Sequence, residues 1–204
     1  MNRKLEYVFR IVINFFRFFV LKLIYGHHVK HSWKMLVSPK ADIYITNKGC
    51  IELGSMLNLE KYTQIRATGG NISIGSNVYV NRNCNIVSHK LIVIEDNVTI
   101  GPNVCIYDHD HNYKNNKLDN HYISKEVIIG HDTWIGSNCV ITKGVKIGAN
   151  CVIAAGTVVT KDVPSNMIIR SKCEYIMKKI EGAIHCWIVP SKRYKNRLLN
   201  YSNS

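Results

Sequence analysis

Acidic residues are scarce in this chain: 14 Asp and Glu stand against 27 Lys and Arg in 204 residues, a formal charge of +13. The deficit is confined to the ends. Residues 1–50 carry nine basic and two acidic side chains, residues 164–204 eight and two, and residues 51–163 ten of each. No nucleic-acid recognition motif accompanies the charge, so it reads either as solvated tails or as attraction to an anionic membrane face or saccharide. Paired cysteine spacing is missing too. The seven cysteines include no CxxC, which argues against a disulfide framework and for a reducing compartment. No uncharged run approaches the roughly 18 residues that a spanning segment needs. No A-x-A cleavage site marks a secretory signal. There remains a chain of one-domain length with 46% hydrophobic residues, enough for a sizeable core. Its expected place is the cytoplasm, with peripheral contact to the inner face of the cytoplasmic membrane open.

A repeat organises the middle. Ile94-Glu95-Asp96-Asn97-Val98-Thr99 and Ile100-Gly101-Pro102-Asn103-Val104-Cys105 open it. From Ile129 to Val163 six consecutive units keep one phase, among them Ile135-Gly136-Ser137-Asn138-Cys139-Val140 and Ile147-Gly148-Ala149-Asn150-Cys151-Val152. Each begins with an aliphatic residue and has a small or short side chain four places later. A period of six suits neither a helix nor a hairpin meander, whose reversals would destroy the phase. A chain that always turns the same way satisfies it. Short parallel strands then form the three faces of a prism, the opening aliphatics point inward, and Gly and Asn take the corners, where left-handed backbone costs them least. About 18 residues make one coil, stacked at roughly 4.8 Å. Cys84, Cys139 and Cys151 fall in the small inward slot as compact hydrophobes.

Taken in order, residues 3–25 read as a helix with Arg3, Glu6, Arg10, Asn14 and Arg17 on one narrow stripe and apolar side chains over most of the rest. Two roles fit it: packing on the open first coil or in an oligomer contact, and peripheral membrane contact. A linker with His27, His28, His31 and Trp33 follows; the histidines lack a fourth metal ligand. The expected coils are Leu53/Leu59/Ile65, Ile74/Val80/Ile86, Ile94/Ile100/Ile106, Ile129/Ile135/Ile141 and Ile147/Ile153/Val159. The domain boundaries read as 1–37 for helix and linker, 38–165 for the solenoid, and 166–204 for a short helix (174–182) and a basic tail (191–204). A polar insertion, residues 107–128, interrupts the solenoid. Long insertions in a regular scaffold are usually functional or disordered, and its three histidines and three tyrosines disfavour disorder.

Chemistry concentrates in Asp108-His109-Asp110-His111. A histidine beside a carboxylate suits a general base, because the acid fixes the tautomer and raises basicity. Three readings stand on the residues alone. One histidine deprotonates a substrate hydroxyl; or His109, His111 and His121 hold a metal, as in a lyase of the carbonic anhydrase type; or the cluster is only a polar loop.

The words PNVCIYDHDH and VIIGHDTWIGSNCVITKGVKIGANCVIAAGTVVTKDVP resemble the left-handed β-helix, hexapeptide-repeat acyltransferases, in the subgroup of galactoside and maltose acetyltransferases and polysaccharide O-acetyltransferases. The likeness covers about residues 50–165. It implies a left-handed parallel β-helix, here of about five coils with an N-terminal amphipathic helix and a short C-terminal one. It also implies a homotrimer with sites between subunits, acetyl-CoA as acyl donor and no required metal; the missing recognition motif already argues against nucleic acid as a partner. The acceptor would be a hydroxyl of a saccharide, with an antibiotic or other small acceptor, or a non-catalytic interaction module, as alternatives. Laid on the family motif, the base falls on His111, with His109 as fallback, and Asn81 approaches the reacting groups. Ser137 supplies an amide to the thioester oxygen. Trp134 borders the acetyl-CoA channel, and Ala155, Thr160 and Lys161 meet the cofactor's pantetheine and nucleotide. Asp108 and His89 would lie on the acceptor side. The sugar-binding acid of galactoside acetyltransferases is replaced by His89, so galactoside specificity is not implied. The Gly-x-Pro segment after the repeat is replaced by Ser171-Lys172-Cys173.

Overall fold

The computed structural model describes residues 3–172 other than 115 and 116. Helix α1 (Arg3–Tyr25) is followed by a parallel β-solenoid. Its strands form three faces, one of seven strands and two of six. Each face receives one strand per coil. The first coil consists of Val29–His31, Leu36–Val37 and Asp42–Thr46; the last ends at Val158–Val159, with Ile168–Ile169 added to the second face. There are thus six coils where the repeat words suggest five, and the solenoid begins at Val29 rather than near Ser38. The stretch with His28 and His31 is no linker. Its Val29 pairs with Ile51 as a strand of the first face. The helix and tail expected beyond residue 173 lie outside the described residues.

The core is the stack of inward aliphatics. Ile94, Ile100, Ile106, Ile129, Ile135, Ile141, Ile147 and Ile153 are all buried, as are Cys84, Cys139 and Cys151. Each buried isoleucine contributes roughly 1.5–3 kcal/mol. The thiols close small corners and donate outward to the next coil: Cys84 Sγ to the Gly101 carbonyl at 3.1 Å, Cys139 Sγ to Ala154 at 3.2 Å and Cys151 Sγ to Pro164 at 3.2 Å. Asparagines hold left-handed corners (Asn83 φ 59, Asn103 φ 59, Asn138 φ 58). Their amides form a ladder, Asn83 to Asn103 at 3.2 Å and Asn103 to Asn138 at 3.0 Å. Asn is chosen over Gly here because it tolerates the conformation and also bonds its neighbour.

Early coils are longer than late ones. On the first face Val29, Ile51, Ile72 and Ile92 follow one another as partners at intervals of 22, 21 and 20 residues, whereas Ile128 pairs with Lys146, 18 residues on. The extra residues sit at one corner, between the third face and the first. They are Asn47-Lys48-Gly49, then Gly69-Gly70, then His89-Lys90, each between two named strands. The insertion emerges from this same corner one coil later. It is an antiparallel hairpin, His109–Lys114 with Lys117–Ser124, rather than a loop.

Helix α1 caps the open end of the first coil with its polar stripe. Arg10, Asn14 and Phe18 are buried. Asn14 Nδ2 donates to the Met35 carbonyl at 3.3 Å, Arg17 to the carbonyls of Ser38 (3.0 Å) and Ala41, and Lys22 Nζ to Val29 at 3.2 Å. These carbonyls lie at the open edge of the solenoid, where backbone groups need partners from outside the sheet. Phe18 is the apolar anchor, its ring 4.7 Å from that of His31.

Candidate active site

The hairpin is rooted by Asp108, whose side chain is 0% exposed. Its carboxylate accepts from the Ser88 hydroxyl (2.7 Å) and from the backbone N–H groups of His89, Lys90 and Leu91 (each 2.8 Å). Burial alone would raise its pKa. The His89 amide, the Ser88 hydroxyl and the Lys90 amide outweigh that and hold it below the ordinary carboxylate value. Asp108 therefore clamps the widened corner of the coil below. The neck is closed by Lys125 N–H donating to the Asp108 carbonyl at 2.8 Å.

On this base stands an aromatic cluster. His109 Nδ1 lies 3.1 Å from Asp108 Oδ1. Its ring centroid is 3.9 Å from that of His89 and 5.1 Å from that of Tyr122. Burial, then the neighbouring His109, push the His89 pKa below its usual value, against the pull of Asp108. His111 is further out, exposed, and pairs across the hairpin with Tyr122, ring to ring 4.8 Å. Asp110, its neighbour in sequence, does not support it; Lys143 engages that carboxylate. Hence the acid–histidine pair legible in the sequence exists at His109, and His111 is the histidine presented to the outside.

The second group of expected site residues is elsewhere. Asn81, Ser137 and Ala155 occupy the corner between the second and third faces, and Trp134, 55% exposed, lies on the second face. This corner is packed to the backbone. A Cβ on Gly101 would lie 2.8 Å from Ser137 N, and one on Gly136 would lie 2.6 Å from Ala155 N. At Gly156 (φ 74), which is exposed, a Cβ would meet nothing within 4 Å, so the surface there is open. The Ser137 carbonyl accepts from Gly156 N–H at 2.8 Å, while the Ser137 N–H has no hydrogen bond among the described residues. Asn81 Oδ1 accepts from Arg82 N–H at 2.8 Å. Thr160 and Lys161 are exposed on the hairpin corner, two coils above Asp108.

One chain thus brings together His89, Asp108, His109 and His111, and separately Asn81, Ser137 and Ala155. The third face, a few residues or roughly 10 Å of strand, divides them. His109, His111 and His121 do not converge: among the described residues no group of three His, Cys, Asp or Glu side chains is placed to hold a metal. Sequence reasoning passed over Ser88, Tyr122 and Lys143. Ser88 ends its strand one coil below Asp108, a relation that becomes visible only once the corner residues 89–90 are counted out of the repeat.

The sequence model described as hexapeptide repeat of succinyl-transferase matches residues 126–161. A galactoside O-acetyltransferase of Lactococcus lactis subsp. lactis is 30% identical over 156 residues, 76% of this chain and 75% of the relative. The chain belongs to the hexapeptide-repeat acyltransferases. Another member, the galactoside O-acetyltransferase of Escherichia coli K12, is 45% identical over 102 residues, 49% of this chain and 50% of that one. The chain therefore spans about half the length of this relative. Among solved structures, a hexapeptide-repeat acetyltransferase from Vibrio cholerae O1 biovar eltor in complex with acetyl coenzyme A is 29% identical. It superposes with a TM-score of 0.51 over 69% of this chain and 64% of its own. As a hexapeptide-repeat acyltransferase the present chain departs from the regular coil chiefly at the hairpin corner, which holds His89, His109, His111 and His121.

Proposed function

We propose that the protein transfers an acetyl group from acetyl-CoA to a saccharide hydroxyl, with His111 as general base. The carrying observation is the split of the expected residues on one chain: a histidine-bearing hairpin at one corner and a run of small residues with an unbonded Ser137 amide at another. Each half lacks what the other has. A homotrimer in which the hairpin of one subunit faces the small-residue corner of the next completes the site. An isolated two-stranded hairpin is marginal in water, and this one exposes Tyr113, Leu118 and Ile123. A neighbouring subunit covers such side chains. The acetyl-CoA complex of the Vibrio cholerae relative supports the donor, and the galactoside acetyltransferases support a sugar acceptor.

In the reaction the acceptor oxygen attacks the thioester carbonyl as His111 takes its proton. Negative charge gathers on the former carbonyl oxygen, where the Ser137 N–H stabilises it. The C–S bond breaks, and the thiolate takes the proton back from the imidazolium. No acyl-enzyme forms. Trp134 borders the donor's path, Ala155 and Gly156 leave room for its thin pantetheine arm, and Thr160 and Lys161 meet its phosphate end. Asn81 orients the reacting groups; His89 and the Asp108 corner shape the acceptor side.

A second reading rests on the 3.1 Å contact between His109 and Asp108: His109 is the base, its ring held by that carboxylate. Steady-state kinetics of His111→Ala and His109→Ala separate the two. The main reading requires the first to lose activity with little change in acetyl-CoA affinity. A dead His109→Ala beside a nearly normal His111→Ala establishes the second.

A further inference from the structure

Helix α1 has its polarity reversed relative to an ordinary surface helix. Its polar stripe is spent on the solenoid, where Asn14, Arg17 and Lys22 cap backbone carbonyls of the first coil. The apolar side chains look outward: Phe9, Phe15, Phe16, Phe19, Leu23 and Ile24 are each 57–70% exposed. At about 100° per residue the outward apolar positions from Ile11 round to Ile24 sweep about 220° of the helix. A helix packing on one neighbour usually shows a stripe of about 100°. A second copy or a helical partner would cover a seam and leave most of these rings in water. A fluid apolar phase covers the whole band.

Charge says which phase. Arg10, Arg17 and Lys22 are engaged with the solenoid, but the first 50 residues hold six further basic residues, Arg3, Lys4, Lys30, Lys34, Lys40 and Lys48, against two acids, Glu6 and Asp42. The apolar surface continues past the helix. Trp33, 70% exposed, shares an apolar pocket with Tyr7 and Ile11, and Lys34 Nζ is 5.0 Å from the Trp33 ring. Exposed Trp beside Lys is the pairing that suits a headgroup boundary. No helix among the described residues is long and apolar enough to cross a membrane. We propose that α1 is a peripheral anchor that lies in the headgroup–acyl boundary of an anionic leaflet, with the solenoid standing on it through the polar stripe. Apolar burial and attraction of the basic residues to anionic lipid act together in such a contact.

The test is flotation of the full chain with phosphatidylglycerol/phosphatidylcholine vesicles and with pure phosphatidylcholine vesicles. The full chain should float with the anionic vesicles at low salt and bind the neutral ones at least about ten-fold more weakly. Phe15→Ser/Phe16→Ser/Phe19→Ser should lose at least about ten-fold in binding while melting close to the parent, since these rings are more than half exposed. Phe16→Asp alone should move the same way, which keeps the test valid where the triple variant folds poorly. The proposal fails if the full chain stays in solution at low salt, or if Phe16→Asp floats like the parent. It fails equally if light scattering without vesicles shows the parent in a larger assembly than Phe16→Asp, for then a second copy covers the face.

Discussion

The Ser88 hydroxyl donates to the buried Asp108 carboxylate at 2.7 Å, and this bond ties the hairpin of one coil to the corner of the coil beneath it. The three backbone N–H groups that share the same carboxylate make Asp108 the fixed point of the candidate site. Asp108→Asn would turn amide hydrogens toward those donors. It should cost roughly 2–4 kcal/mol of stability and speed hydrogen exchange over 109–124. A variant that melts like the parent would show the clamp to be dispensable.

The same corner sets an acid limit. Asp108 is held below its ordinary value by the hydrogen bonds it accepts, and His89 below its own chiefly by burial. A depressed folded pKa means that the unfolded chain binds the proton more readily, so both contributions are lost as pH falls. His89 acts below about 6.5 and Asp108 below about 4. Melting temperature should decline in these two windows, and His89→Gln should remove the upper one. A profile of unchanged shape in His89→Gln contradicts this.

Corner glycines answer to backbone contact. A Cβ on Gly130 would lie 2.5 Å from Ala149 N, with no flexible side chain to yield. Gly130→Ala should therefore destabilise by roughly 1–3 kcal/mol, measured by urea unfolding. Gly156→Ala, with open space around it, should cost only the strain of its left-handed backbone, about 1–2 kcal/mol.

Burial pushes the Cys84 thiol up to about 11 and raises Cys139 as well. Alkylation at pH 8 followed by mass mapping should leave both unmodified in the folded protein and modify both in urea. Rapid modification in the folded state would mean that the corners open.

The late solenoid was legible because nothing interrupts it. From Ile129 on, every opening aliphatic is inside. The early coils were legible in kind but not in count. Val29–Thr46 contains none of the Ile-Gly-x-Asn words, and the two or three extra residues at each early corner slide the phase by less than a strand. The helix was legible as amphipathic, yet its orientation was not. A polar stripe on a surface helix ordinarily faces water; here Asn14 and Arg17 donate to the carbonyls of Met35, Ser38 and Ala41 and turn it toward the first coil. Within the site, Asp108-His109 could be read as an acid–base pair, whereas the capture of Asp110 by Lys143 depends on two coils meeting.

Acetyl-CoA thiol release in the presence of a panel of saccharide acceptors, with and without His111→Ala, tests the central claim most directly. The account requires acceptor-dependent release by the full chain and a loss of about two to four orders of magnitude in His111→Ala, with acetyl-CoA affinity little changed. Acceptor-dependent release that survives in both His111→Ala and His109→Ala would contradict it.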